Sequence, residues 1–152
     1  MIEAFFSNIY AILGAIVLAC FVGYIAWRNG HKARRAIACD AFRRAVLDAL
    51  PGLYPDTVNW PVDIRGYLRN AFPALQSAVV AFRPFVSRRK LSDFDLAWHS
   101  FYGATDTQNE AQKYHQYMGF HEPGTTSASG HAKSQELFHT NVQNLFKFAN
   151  ET

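Results

Sequence analysis

The chain has 152 residues, a formal net charge of +3 and a pI near 9.0, with 49% apolar and 15% aromatic side chains. That is enough material for one packed domain and too much bulky apolar residue for a disordered tail. Two cysteines, Cys20 and Cys39, exclude a disulfide-stapled scaffold.

Residues 4–27 contain no charged side chain, and Arg28, Lys32, Arg34 and Arg35 follow at once. The most apolar part, Ile9 to Trp27, would measure about 28 Å as a helix at ~1.5 Å per residue, the thickness of a bilayer's hydrocarbon core. The sequence therefore predicts an amino-terminal transmembrane helix (residues 1–29) followed by a cytoplasmic helical domain (30–152). Positive flanks stay on the cytoplasmic side, and only Glu3 and the amino terminus precede the span. The expected location is the inner (cytoplasmic) membrane with the amino terminus outside. Tyr10, Tyr24 and Trp27 stand near the ends, where amphipathic rings favour headgroups. A cleavable signal peptide would need a basic leader, and this one carries Glu3 instead. Val17-Leu18-Ala19-Cys20 loosely resembles a lipobox, but Leu18 is a poor residue there and the apolar run continues past Cys20 to Ile25.

Charge is unevenly divided behind the span. Residues 28–90 carry a balance of +8 and residues 91–152 a balance of −4. Arg28, Lys32, Arg34 and Arg35 are the expected membrane-surface contacts, because anionic headgroups attract juxtamembrane cations by about 1 kcal/mol each.

Gly30 is expected to loosen the backbone before an amphipathic helix over about 32–50, with Ala38, Phe42, Ala45, Val46, Ala49 and Leu53 on its apolar side. Pro51-Gly52 should end it, leaving Tyr54 and Trp60 to anchor an extended stretch through residue 62. Asp63 is a plausible N-cap for Ile64, Leu68, Ala71, Leu75, Val79, Phe82 and Val86, which step at helical spacing. Pro73 leaves two readings, a pair of short helices or one kinked helix. Leu91, Phe94, Trp98, Phe101 and Tyr102 mark the next helix, closed by Gly103. Residues 104–130 lose periodicity, with a turn or two near 112–118 and a mobile loop over 123–130. A last helix, about 132–150, carries Phe138, Val142, Leu145 and Ala149 on one face. No alternating strand pattern occurs, so the expected class is all-α, an anchor followed by a bundle of four or five helices.

Ala11, Ala15, Ala19 and Gly23 recur every four residues and place small side chains on one stripe of the span, which predicts self-association through the transmembrane helix. The six histidines have no zinc-like spacing, and His99, four residues after Asp95, reads as half of a surface pair. Cys39 has no local base and reads as a small packing residue. Arg43-Arg44, Arg65, Arg69, Arg83 and Arg88-Arg89-Lys90 could contact phosphate but carry no base-reading pattern, so nucleic acid is not the expected partner. No phosphate loop, nucleophile elbow or HExxH motif is present, and neither a cofactor nor a catalytic residue is assigned.

Through Ala81-Phe82-Arg83-Pro84-Phe85, Asp93-Phe94-Asp95-Leu96-Ala97-Trp98 and Asn144-Leu145-Phe146-Lys147-Phe148-Ala149, residues 34–150 resemble a loose group of uncharacterised bacterial membrane-anchored proteins. The resemblance implies a bacterial source and a helical domain with an optional amino-terminal span, and it carries no activity. The sequence thus leads to a non-enzymatic protein-interaction or scaffolding module at the inner membrane, binding an unknown protein partner or itself. The alternative is a membrane-proximal enzyme with a polar pocket near residues 99–131, built from His99, Glu110, His115, His121 and Glu122.

Overall fold

A computed structural model describes residues 2–103, 113–119 and 127–150, with side chains from residue 16 in the first segment and from 130 in the last. Four α-helices occur and no strand is found among the described residues: α1 (Ile2–Ala49), α2 (Ile64–Phe82), α3 (Leu91–Tyr102) and α4 (Ser127–Asn150). Short 3-10 turns stand at Arg83–Phe85, Arg88–Lys90 and His115–Tyr117. The all-α expectation holds. The chain divides into two compact units, Met1–Ile37 and Ala38–Thr152.

Two expected boundaries move. The helix foreseen at 32–50 is the end of α1, which passes through Gly30 without a break. An isolated glycine costs a helix only about 1 kcal/mol against alanine, and the first proline comes at Pro51. The loop foreseen at 123–130 is helical from Ser127, and residues 123–126 lie outside the described residues.

Pro51 and Gly52 do end α1, Gly52 at φ 76° with its carbonyl accepting from Asn59 N at 3.2 Å. Tyr54 and Trp60 anchor the connection as expected: the Tyr54 ring lies 5.4 Å from Phe146, and Trp60 stands edge-on to Phe138 at 5.6 Å. Asp63 caps α2, accepting from Gly66 N at 2.8 Å, and a Cβ at Gly66 would collide with that carboxylate. Pro73 lies inside a single α2. It is exposed, as is Arg69, whose carbonyl loses its helical partner, so that carbonyl is left on the solvent side.

The core of the second unit is built largely from aromatic rings. Phe42 of α1 stacks on Phe82 of α2 at 4.6 Å and meets Phe94 of α3 and Phe146 of α4 edge-on at 6.3 and 6.2 Å. Leu68, Leu75 and Val79 of α2, Phe94, Trp98 and Phe101 of α3, and Phe138, Val142 and Leu145 of α4 are all buried, the faces their spacing specifies. Cys39 is buried among them, the packing role expected of it.

Arg43 closes the end of α4. Its guanidinium donates to Ala149 O at 2.7 Å and to Asn150 Oδ1, and it pairs with Asp40 at 3.1 Å. Cations suit the last carbonyls of a helix, which carry the negative end of its dipole.

Candidate functional site

Two places can bear function: the polar cluster under the 113–119 segment, which the enzyme reading would need, and the exposed length of α1.

The polar cluster serves the fold. The carboxyl end of α3 leaves four carbonyls without helical partners. Gly103, in the left-handed region at φ 74°, donates its N–H to His99 O, and Tyr114 N donates to Tyr102 O. Gln116 Nε2 donates to Ser100 O at 2.7 Å and to Phe101 O at 3.2 Å, while Tyr117 OH donates to Phe101 O at 2.7 Å. Asn141, buried on α4, donates to the Tyr117 oxygen at 2.9 Å. Gly103 meets the first of these carbonyls and the 113–119 segment meets the other three, so that segment is a cap for α3. Removing the amide by Asn141→Leu is expected to destabilise the domain by about 1–3 kcal/mol, read from the urea midpoint.

Burial raises the Tyr117 hydroxyl to about 12 and raises that of Tyr114 as well. An ionisation suppressed in the folded state but not in the unfolded one favours unfolding once the unfolded tyrosine, near 10, begins to ionise. Stability should therefore be flat below pH 10 and fall between pH 10 and about 12. Circular dichroism across that range checks this, and Tyr117→Phe should blunt the fall. Tyr114 takes φ 63°, unusual for an aromatic residue, and its buried hydroxyl has no hydrogen-bond partner among the described residues.

The residues of the enzyme reading do not assemble among those described. His99 is exposed, and its Nδ1 lies within hydrogen-bond distance of Tyr102 OH at 3.2 Å; Asp95, its expected partner, is gripped instead by Arg83 through two bonds of 2.9 and 2.8 Å. Bidentate guanidinium geometry outcompetes one imidazole, and it holds the Asp95 carboxyl below its ordinary range. His115 is exposed on its 3-10 turn; Glu110, His121 and Glu122 lie outside the described residues. No group of three metal-ligating side chains occurs among the described residues. A cleft lined by Trp60, Arg65, Tyr117 and His131 holds about 40 Å³, room for a water or two. Thr57 Oγ1 and His139 Nε2 lie 2.7 Å apart, a contact with no signal in the sequence, but among the described residues no third group orients the pair as a nucleophile and base would require.

The exposed length of α1 is chemically different. Ile16, Val17, Leu18, Phe21, Val22, Tyr24, Ile25 and Trp27 are 42–68% exposed. At 100° per residue they cover most of the helix circumference, so no single apolar stripe exists to face a core. Tyr24, Trp27 and His31 form a ladder, with centroids 6.2 and 5.9 Å apart, where the apolar stretch meets the basic one. Arg28, Lys32 and Arg34 are exposed and Arg35 is half-buried. Of the small-residue stripe, Ala19 and Gly23 are exposed, and a Cβ at Gly23 would meet open space. Ala11 and Ala15 lie outside the residues whose side chains are described.

Among the described residues, no helix is long and apolar enough to cross a membrane. Of the stretch from Ile9 to Trp27, the side chains are described only from residue 16. The basic residues read as a phosphate surface separate into different roles, since Arg43 and Arg83 are taken up by Asp40, the α4 terminus and Asp95. Comparison with protein-family models, curated proteins and solved structures finds no match.

Proposed function

We propose that the chain is a single-pass membrane protein of a bacterial inner membrane whose helical domain, on the cytoplasmic side, acts as a non-enzymatic interaction or scaffolding module. Residues 9–27 cross the bilayer, and Arg28, Lys32, Arg34 and Arg35 meet anionic headgroups. The observation that carries this reading is the exposure of bulky apolar side chains from Ile16 to Trp27 over most of the helix circumference. A helix apolar on every side is stable when buried in protein or in lipid, and water is a poor solvent for it. The uninterrupted helical backbone of α1 supports it, since a spanning segment must satisfy its own polar groups. The Tyr24–Trp27–His31 ladder stands where an interfacial belt would be expected.

Protease accessibility tests the reading. Protease added outside intact spheroplasts should leave residues 30–152 whole, and everted vesicles should expose them; digestion in spheroplasts would reverse the topology. In-cell crosslinking with mass spectrometry should return protein neighbours of the domain.

Self-association through Ala11, Ala15, Ala19 and Gly23 belongs to the same proposal. Small side chains let two backbones approach closely in lipid. Ala15→Leu with Ala19→Leu should lower the dimer fraction measured by energy transfer in detergent, and an unchanged fraction would assign any dimer to another surface.

A further inference from the structure

The second unit is electrically polarised along its length, and its polarity follows the path of the chain. The chain enters it at Ala38, eleven residues after Trp27. Phe42, one turn inside, touches Phe82 at the end of α2, Phe94 at the start of α3 and Phe146 near the end of α4. The turn between α2 and α3 and the terminus of α4 therefore lie at this same entrance end. Two cations there are consumed by the fold, Arg43 by Asp40 and the α4 carbonyls, Arg83 by Asp95. The same end also carries Arg44, Arg88, Arg89, Lys90 and Lys147, all exposed, and Asp93 among the described residues. The opposite end holds the start of α2 and the α3 cap, about 27 Å away along α2 at ~1.5 Å per residue. There, among the described residues, Arg65, Arg69, Lys113 and Lys133 are matched in number by Asp48, Asp56, Asp63 and Glu136.

We infer that this entrance end is a second docking surface for an anionic lipid bilayer, with Arg88, Arg89 and Lys90 as its centre. The inference rests on the membrane-anchor reading and deepens it. On the anchor reading, the entrance end is the one the chain joins to the span, so it and not the far end is the end brought toward the bilayer. Charge falls off in effect within about 10 Å at 0.1 M salt, so cations held close to headgroups act and distant ones do not. Phosphate contact needs no base-reading geometry, which suits a cluster that has none. The surface would fix which side of the domain faces lipid and leave the far end open to a partner.

Hydrogen exchange of the full chain, inserted in nanodiscs of phosphatidylcholine alone or mixed with phosphatidylglycerol, tests the inference. Exchange across residues 86–91 should slow in the anionic discs only, and 1 M salt should abolish the difference by shortening screening to about 3 Å. Arg88→Gln, Arg89→Gln and Lys90→Gln should lower the docked population roughly fivefold each. The pair Arg65→Gln and Arg69→Gln should leave it unchanged. A chain that inserts but exchanges equally in both discs overturns the second surface and leaves the anchor standing. A chain that enters neither disc rejects the anchor, and the surface with it. Slowing by a single-stranded oligonucleotide in the neutral discs would reassign the cluster to nucleic acid.

Discussion

Phe42→Ala is expected to remove about 3–5 kcal/mol from the helical domain, the usual cost of emptying a buried phenylalanine site. Few side chains here are placed to cost so much. Phe42 is 2% exposed, and its one ring touches α2, α3 and α4 while itself belonging to α1. The cavity would open where four helices meet, and rigid aromatic walls collapse poorly into such a space. Total stabilities of single domains are about 5–15 kcal/mol, so the substitution consumes a large share of the whole. Denaturant unfolding followed in the near-ultraviolet reads the tertiary packing without interference from the helical signal of α1. Phe42→Leu, which keeps most of the volume, should cost less than half as much. Val80→Ala, on an exposed side of α2, should fall within about 0.5 kcal/mol of the parent. Equal effects for Phe42→Ala and Val80→Ala would show that the ring cluster does not join the helices.

The core was legible because each helix buries one face and the chain marks that face by spacing alone. Leu68, Leu75 and Val79, or Phe138, Val142 and Leu145, are buried for the reason their recurrence suggests. What spacing cannot express is a side chain held by distant partners. Tyr114 and Tyr117 come from a stretch without periodicity, yet both are fully buried. They are placed by the unsatisfied carbonyls at the end of α3 and by Asn141 of α4, which are remote in sequence. Charges show the same limit. Arg43 and Arg83 look like their neighbours Arg44 and Arg88 in the sequence, but only the fold supplies Ala149 O and Asp95 as their partners. Gly30 failed as a boundary for a simpler reason: a glycine weakens a helix by about 1 kcal/mol, and weakening is not termination. Of the candidate surface, the apolar and basic stretches of α1 were legible because composition alone defines them. At the basic entrance end the sequence marks Arg44 and Arg88 to Lys90 as basic, but not their gathering at one end, because that end is assembled from the ends of several helices.

The second large effect is expected from Leu18→Arg combined with Val22→Arg. On an insertion scale, arginine at the middle of a spanning helix costs about 2.5–3.5 kcal/mol, where leucine or valine contributes about −0.3 to −0.6. The pair should therefore shift membrane partition by roughly 6–8 kcal/mol, enough to outweigh a single marginal span. Both residues are exposed in the structure and belong to the first unit, so no core contact is lost with them. The unfolding midpoint of the helical domain should stay at the parental value while the chain moves from the membrane pellet to the soluble fraction. Leu96→Arg, equally exposed but on α3, should leave the chain in the pellet. That contrast separates a spanning segment from general surface greasiness. If the double variant still resists carbonate extraction as the parent does, residues 9–27 are not embedded in lipid. Any membrane attachment would then have to come from the basic residues that follow, and it would wash off in high salt, as headgroup attraction does and hydrocarbon burial does not.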